Sequence, residues 1–135
     1  MKTEPTFVLI DDNPIDIIIH KFMFKSELKK PANITHFSNG QEGLRYIEKT
    51  HSTETKNKTI LLMDIGMSEM NNREFLSHFG EFDKKIKDQV KIFILSTSLN
   101  QKEIDKISTN PHVYKFLSKP LSEKNIAEII FDVTN

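Results

Sequence analysis

Short apolar runs alternate with longer amphipathic stretches along the chain. The runs 6–10, 34–37, 60–63, 90–95 and 113–117 are rich in aliphatic and aromatic residues and bounded by polar ones. They are too short for helices, and the first reads as a strand buried on both faces of a sheet. After the first run, Asn13-Pro14 has the form of a helix cap followed by proline in the first turn. Ile15, Ile18, Ile19, Phe22 and Met23 then follow helical spacing.

A second helix is predicted over 41–49, burying Leu44 and Ile47. A third face is drawn by Phe75, Leu76, Phe79 and Phe82 over 72–82. The fourth helix, around 103–108, offers only Ile104 and Ile107 as anchors. The last starts at Ser122 and carries Ile126, Ile129, Ile130 and Val133 on one stripe. Residues 50–59 are polar without periodicity and read as a loop. Five strand–helix alternations predict an α/β fold, a parallel sheet with helices on both faces and right-handed crossovers.

Chain length and composition refine this picture. The 135 residues suit one domain, 1–135 with its core over about 6–133, and no repeat or second domain is visible. Lysine and arginine balance aspartate and glutamate at 19 each, so no net field draws the protein to nucleic acid or an anionic membrane. The lysine-rich stretch 83–91 reads as a solvated face. Absence of cysteine excludes disulfides and thiolate metal sites and agrees with a cytoplasmic setting. No apolar run approaches the ~18 residues of a membrane helix, and no signal peptide is seen. The five histidines show no metal-ligand spacing, and His20 is expected at the surface of the first helix.

The chemistry gathers at the strand ends. Asp11 and Asp12 follow the first strand, Asp64 the third, Ser96 the fourth and Lys119 the fifth. In a parallel α/β sheet, ligands bind beyond the carboxyl ends of the strands. Three converging carboxylates repel: two charges ~4 Å apart cost about 4 kcal/mol at an effective dielectric of ~20. They therefore need a cation or a proton. Oxygen ligands without His or Cys favour Mg²⁺ over Zn²⁺. An aspartate flanked by Mg²⁺, an ammonium and a hydroxyl is fit to act as a nucleophile toward phosphorus.

These residues resemble the receiver domain of response regulators in two-component signalling. The resemblance runs through Phe7-Val8-Leu9-Ile10-Asp11-Asp12-Asn13 and Leu61-Leu62-Met63-Asp64-Ile65-Gly66-Met67. It continues through 68–75, Ile94-Leu95-Ser96-Thr97-Ser98 and Phe116-Leu117-Ser118-Lys119-Pro120-Leu121. It implies a flavodoxin-like, doubly wound five-stranded parallel sheet of order 2-1-3-4-5. Asp64 would then be the phosphoacceptor, served by a sensor histidine kinase or a histidine phosphotransfer protein. Asp12, Asp64 and the Gly66 carbonyl would bind Mg²⁺ directly, and Asp11 through water. Ser96 and Lys119 would contact the phosphoryl group, and Phe116 would be an aromatic switch moving with Ser96.

Output would leave through the fourth helix, fifth strand and fifth helix. The chain ends soon after its last helix, so a separate output protein, a phosphorelay step or a phosphorylation-dependent homodimer is expected. The implied role is signalling rather than enzymatic.

Some positions depart from the family pattern. Gly66 stands where Asn is frequent, Ser68 replaces a common Pro, and Asn72 a common Gly. Asn tolerates positive φ, so the turn at 72 is not excluded. Ser96 for Thr keeps the hydroxyl, and Phe116 for Tyr keeps the ring. Each residue alone has a plainer reading: Asp11-Asp12 as a strand-end turn with a helix cap, Ser96 as a loop hydroxyl, Phe116 as core. Their joint occurrence at four strand ends carries the argument. Two rivals exist, a receiver-like module without phosphorylation and a phosphohydrolase resembling the haloacid dehalogenases. The latter would carry a second aspartate where Gly66 stands.

Overall fold

Every second residue of the central strands faces the same way, and this sorts the apolar side chains into two separate cores. Val8 and Ile10, Leu61 and Met63, and Ile92 and Ile94 enter one; Phe7 and Leu9, Ile60 and Leu62, and Phe93 and Leu95 enter the other. The computed structural model describes residues 5–28, 34–52, 58–65, 72–96 and 101–134. Its strands are β1 (Thr6–Ile10), β2 (Ile34–Phe37), β3 (Thr59–Asp64), β4 (Val90–Ser96) and β5 (Val113–Ser118). All paired strands are parallel, in the order β2-β1-β3-β4-β5. The predicted flavodoxin-like sheet is thus the observed one.

Six helices complete the described fold: α1 (Pro14–Glu27), α2 (Gly40–His51), α3 (Asn72–Gly80), α4 (Lys84–Lys87), α5 (Gln101–Ser108) and α6 (Glu123–Thr134). The one-turn α4 was not expected. It lies within the lysine-rich stretch, where only Ile86 turns inward while Lys84 and Asp88 pair across one turn at 2.7 Å. The fourth and fifth predicted helices therefore correspond to α5 and α6.

α2, α3, α4 and α5 pack on the first core through Leu44, Ile47, Phe75, Phe79, Ile86 and Ile107. α1 and α6 cover the second through Ile17, Phe24, Ile126 and Ile129. The predicted anchors of α2, α3 and α6 are buried or half-buried as expected; Val133 is outside the residues whose side chains are described. α2 approaches β1 closely at Gly43, where a Cβ would collide with the Ile10 side chain.

α1 corrects the sequence reading. Of its stripe, Ile15, Ile18, Ile19 and Phe22 are exposed at 65%, 67%, 43% and 71% and only Met23 is half-buried against the second core, whereas Ile17, His20 and Phe24 are buried. Apolar residues occupy positions 15, 17–19 and 22–24, so periodicity alone does not select a face. Position is set instead by the start of the helix. Asn13 Oδ1 accepts the backbone N–H groups of Ile15 (2.9 Å) and Asp16 (3.4 Å), and Phe24 meets the Phe7 ring at 4.9 Å. His20, expected at the surface, is 3% exposed. Burial and the Lys119 charge both hold its pKa below the ordinary value.

His51, at the end of α2, is wholly buried. Its Nδ1 lies 2.9 Å from Gln89 Oε1 and its Nε2 2.7 Å from Thr59 Oγ1, tying α2 to the start of β3 and the turn before β4. This tie sits at the amino ends of the strands, away from the carboxylates.

Candidate functional site

Strand order makes the site. From β1 the chain passes to β2 on one side and then to β3 on the other, so the crevice opens between the carboxyl ends of β1 and β3. Asp11 and Asp12 leave β1 there, and Asp64 is the last residue of β3. Carboxylate oxygens of Asp11, Asp12 and Asp64 lie within 4.8 Å of one another. Asp11 is buried, Asp64 half-buried and Asp12 exposed, so the cluster opens to solvent on one side. Asn13 N–H donates to Asp11 Oδ1 at 2.9 Å and fixes that carboxylate.

Lys119 arrives from the end of β5. Its backbone N–H donates to the carbonyl of Ser96 at 2.9 Å, and the Lys119–Pro120 bond is cis. Its side chain is 3% exposed, and Nζ meets Asp11 Oδ2 at 2.5 Å, Asp16 Oδ2 at 2.7 Å and Asp64 Oδ1 at 3.1 Å. Burial works against the charged ammonium. Hydrogen bonds to the three carboxylates outweigh it and hold the Lys119 pKa well above its usual value. The ammonium is therefore a fixed positive charge in the site.

Ser96 ends β4, next to the register pair Asp64–Leu95, and is largely buried. Phe116 lies opposite Ile94 on β5, half-buried against the first core. The structure thus clusters Asp11, Asp12 and Asp64, sets Lys119 against Asp11 and Asp64, and places Ser96 on the adjoining strand end. Gly66 and Ser68 lie outside the described residues.

Two residues of the site escape sequence reasoning. Asp16, in the first turn of α1, binds Lys119. Asn72, the first residue of α3, donates from Nδ2 to the backbone carbonyl of Asp64 at 2.8 Å and is 2% exposed. No non-glycine residue among those described has a positive φ, so Asn72 adopts no left-handed turn. Its amide secures the end of the acceptor strand instead. The unusual Asn for Gly at position 72 was the available signal for it.

Four carboxylates, of Asp11, Asp12, Asp16 and Asp64, face one ammonium. Asp64 registers the imbalance: burial, helped by the charges of Asp11 and Asp12 and opposed by Lys119, pushes its pKa up from 3.8 to about 6. The donor set fits Mg²⁺, being all oxygen, clustered and open on one side. It does not resemble a zinc site.

The raised pKa makes Asp64 a stability liability. Folded Asp64 holds its proton up to about pH 6, whereas the unfolded chain releases it near 3.8. The native state then binds more protons between these values, so stability falls as pH rises through that window and stays lower above it. A shift of this size corresponds to roughly 2–3 kcal/mol. Metal-free Asp64→Asn is expected to melt higher than wild type at pH 7 and to lose most of this slope between pH 4 and 6. Equal melting curves at pH 7 would overturn the assignment.

Beside the carboxylates, between α1 and the end of β2, runs a cleft of about 550 Å³ lined by Asp11, Asp12, Pro14, Ile18, Lys21 and His36. Lys21 Nζ lies 2.8 Å from His36 Nδ1 on its wall. Among the described residues no helix is long and apolar enough to cross a membrane.

Comparison with known structures agrees with this fold. A response regulator receiver protein from Dyadobacter fermentans superposes with a TM-score of 0.79 at 21% identity, covering 96% of this chain and 97% of its own. The phosphorylated form of a cyanobacterial phytochrome response regulator matches at 0.73 and 20% identity, covering 97% and 91%. The receiver domain of a Pseudomonas aeruginosa sensor histidine kinase, with magnesium in its active-site cleft, matches at 0.74 and 16%, covering 96% and 97%. No curated protein sequence matches the chain. The model of the response regulator receiver domain matches residues 7–131, and with nearly the whole chain inside it the protein belongs to that family, the phosphoacceptor signalling domains of two-component systems.

Proposed function

We propose that Asp64 accepts a phosphoryl group from a phosphohistidine of a sensor kinase or phosphotransfer protein. The observation that carries this reading is the convergence of Asp11, Asp12 and Asp64 on the crevice beside one buried ammonium. An Asp64 carboxylate oxygen attacks phosphorus, the P–N bond of the donor breaks, and the imidazole leaves with the bonding electrons. Asp12 and Asp64 would hold Mg²⁺ directly, with the carbonyl of Gly66, and Asp11 would hold it through water. When bound, the ion supplies charge neutralisation for the transferring phosphoryl oxygens. Ser96 donates its hydroxyl and Lys119 its ammonium to the same oxygens.

Phosphorylation adds about −1.5 to −2 charge where four carboxylates already crowd one cation. Ser96 and Phe116 respond, and the surface of α5, β5 and α6 changes between two populations. α5 has slender anchoring, with Ile107 buried and Ile104 half-buried, as a movable element requires. The donor must reach Asp64 over the neighbouring crevice. The exposed Ile15, Ile18, Ile19 and Phe22 of α1 give it an apolar surface on which to seat.

Intact mass after incubation with Mg²⁺ and a small acyl phosphate tests the proposal. One phosphoryl adduct is expected in wild type, lost on chelation and absent from Asp64→Asn. An adduct on both proteins would place the acceptor elsewhere. No adduct on a folded, promptly trapped wild type would favour a module that works without phosphorylation, and steady release of phosphate from a phosphomonoester would favour a hydrolase.

A further inference from the structure

The Lys119 ammonium has three donors, and three carboxylates already meet it: Asp11, Asp16 and Asp64. If Asp64 is the acceptor, two of the three have other duties once the site is loaded. Asp64 carries the phosphoryl group, and Asp11 belongs to the metal cluster. Asp16 stands outside that trio. It sits on α1 rather than at a strand end, at 28% exposure, and the Asn13 cap fixes its backbone. Its Oδ2 contact with Nζ, at 2.7 Å, is shorter than that of Asp64 at 3.1 Å.

We propose that Asp16 is a positioning residue for phosphoryl transfer: it anchors the Lys119 ammonium to α1 in the empty, metal-loaded and phosphorylated states. One donor stays on Asp16 while the others pass from Asp64 and Asp11 to the phosphoryl oxygens. Without that anchor a buried ammonium settles between Asp11 and Asp64 and competes with the metal for their charge. With it, the positive charge is drawn to the rim and pivots rather than wanders. The functional part rests on Asp64 being the acceptor; the anchoring does not.

The test follows the Lys119 ammonium directly in full-length protein labelled with ¹⁵N-lysine, its signal assigned by loss in Lys119→Arg. In Mg²⁺-loaded wild type a resolved, slowly exchanging ammonium signal is expected. It should vanish in Asp16→Asn and persist in Asp16→Glu, which keeps the carboxylate. Adduct formation at saturating Mg²⁺ should slow on the order of tenfold to a hundredfold in Asp16→Asn, as for residues supporting a metal site, and recover in Asp16→Glu. The same spectra taken in metal-free Asp64→Asn protein separate the two claims. There the signal should again depend on Asp16, even if wild type forms no adduct and the acceptor assignment fails. A signal that survives Asp16→Asn in both settings overturns the proposal, as does equal slowing by Asn and Glu. Asp16→Asn is isosteric at a partly exposed helix start, and its melting curve, expected within a few degrees of wild type, separates loss of the anchor from loss of the fold.

Discussion

Asp12→Ala is expected to abolish Mg²⁺ binding, and phosphorylation with it. Asp11 and Asp64 both lie against the Lys119 ammonium, whereas Asp12 is the exposed member of the cluster, on its open side. Mg²⁺ usually takes one or two carboxylates and keeps several waters, so an exposed carboxylate is the natural point of entry. Loss of groups that merely support a metal site costs 10–100-fold, and a direct ligand costs more, so affinity should fall on the order of a hundredfold or further. A Mg²⁺ titration followed by chemical shifts at the ends of β1 and β3 measures it. The fold should survive, because removing Asp12 relieves one of the charges that raise the Asp64 pKa. Wild-type affinity in the variant would refute the ligand assignment.

The second large effect concerns α1. Phe24→Ala is expected to cost about 3–5 kcal/mol, the range for truncating a buried phenylalanine. Phe24 is fully buried against Phe7 and is one of only three buried residues on the helix. Phe22→Ala, two residues earlier at 71% exposure, should change stability by less than ~0.5 kcal/mol. Chemical denaturation of both variants decides the orientation of the helix. Similar losses, or a larger loss for Phe22, would mean that the stripe Ile15, Ile18, Ile19 and Phe22 faces the core.

That pair of variants marks the boundary of what the sequence makes legible. Strands β1, β3 and β4 are readable because both their faces are buried, leaving short apolar runs that end in polar residues. The site follows from them, since Asp11, Asp12, Asp64, Ser96 and Lys119 each sit where a run stops. α1 is not readable in the same way. Seven of the ten positions from 15 to 24 are apolar, and a pattern so full does not choose a side. The choice depends on the Asn13 cap and on Asp16, whose partner Lys119 lies about a hundred residues away in sequence. Likewise, His51 is polar in sequence yet buried, because Gln89 and Thr59 supply hydrogen bonds that only folding brings together. Local patterns reveal elements; the partners of buried polar groups come from elsewhere in the chain.

The β5 edge of the sheet carries its own protection against unwanted pairing. β5 is an edge strand six residues long, and such a strand is ordinarily a template for adding another. Here two of its residues are exposed in succession, Tyr114 and Lys115. The Lys91 ammonium from β4 lies 4.1 Å from the Tyr114 ring centre, and Lys115 pairs with Asp132 of α6 at 3.6 Å. An incoming strand would have to run past the Tyr114 ring and the Lys115–Asp132 pair. Bulky and charged side chains held along an edge in this way guard the sheet against open-ended strand addition.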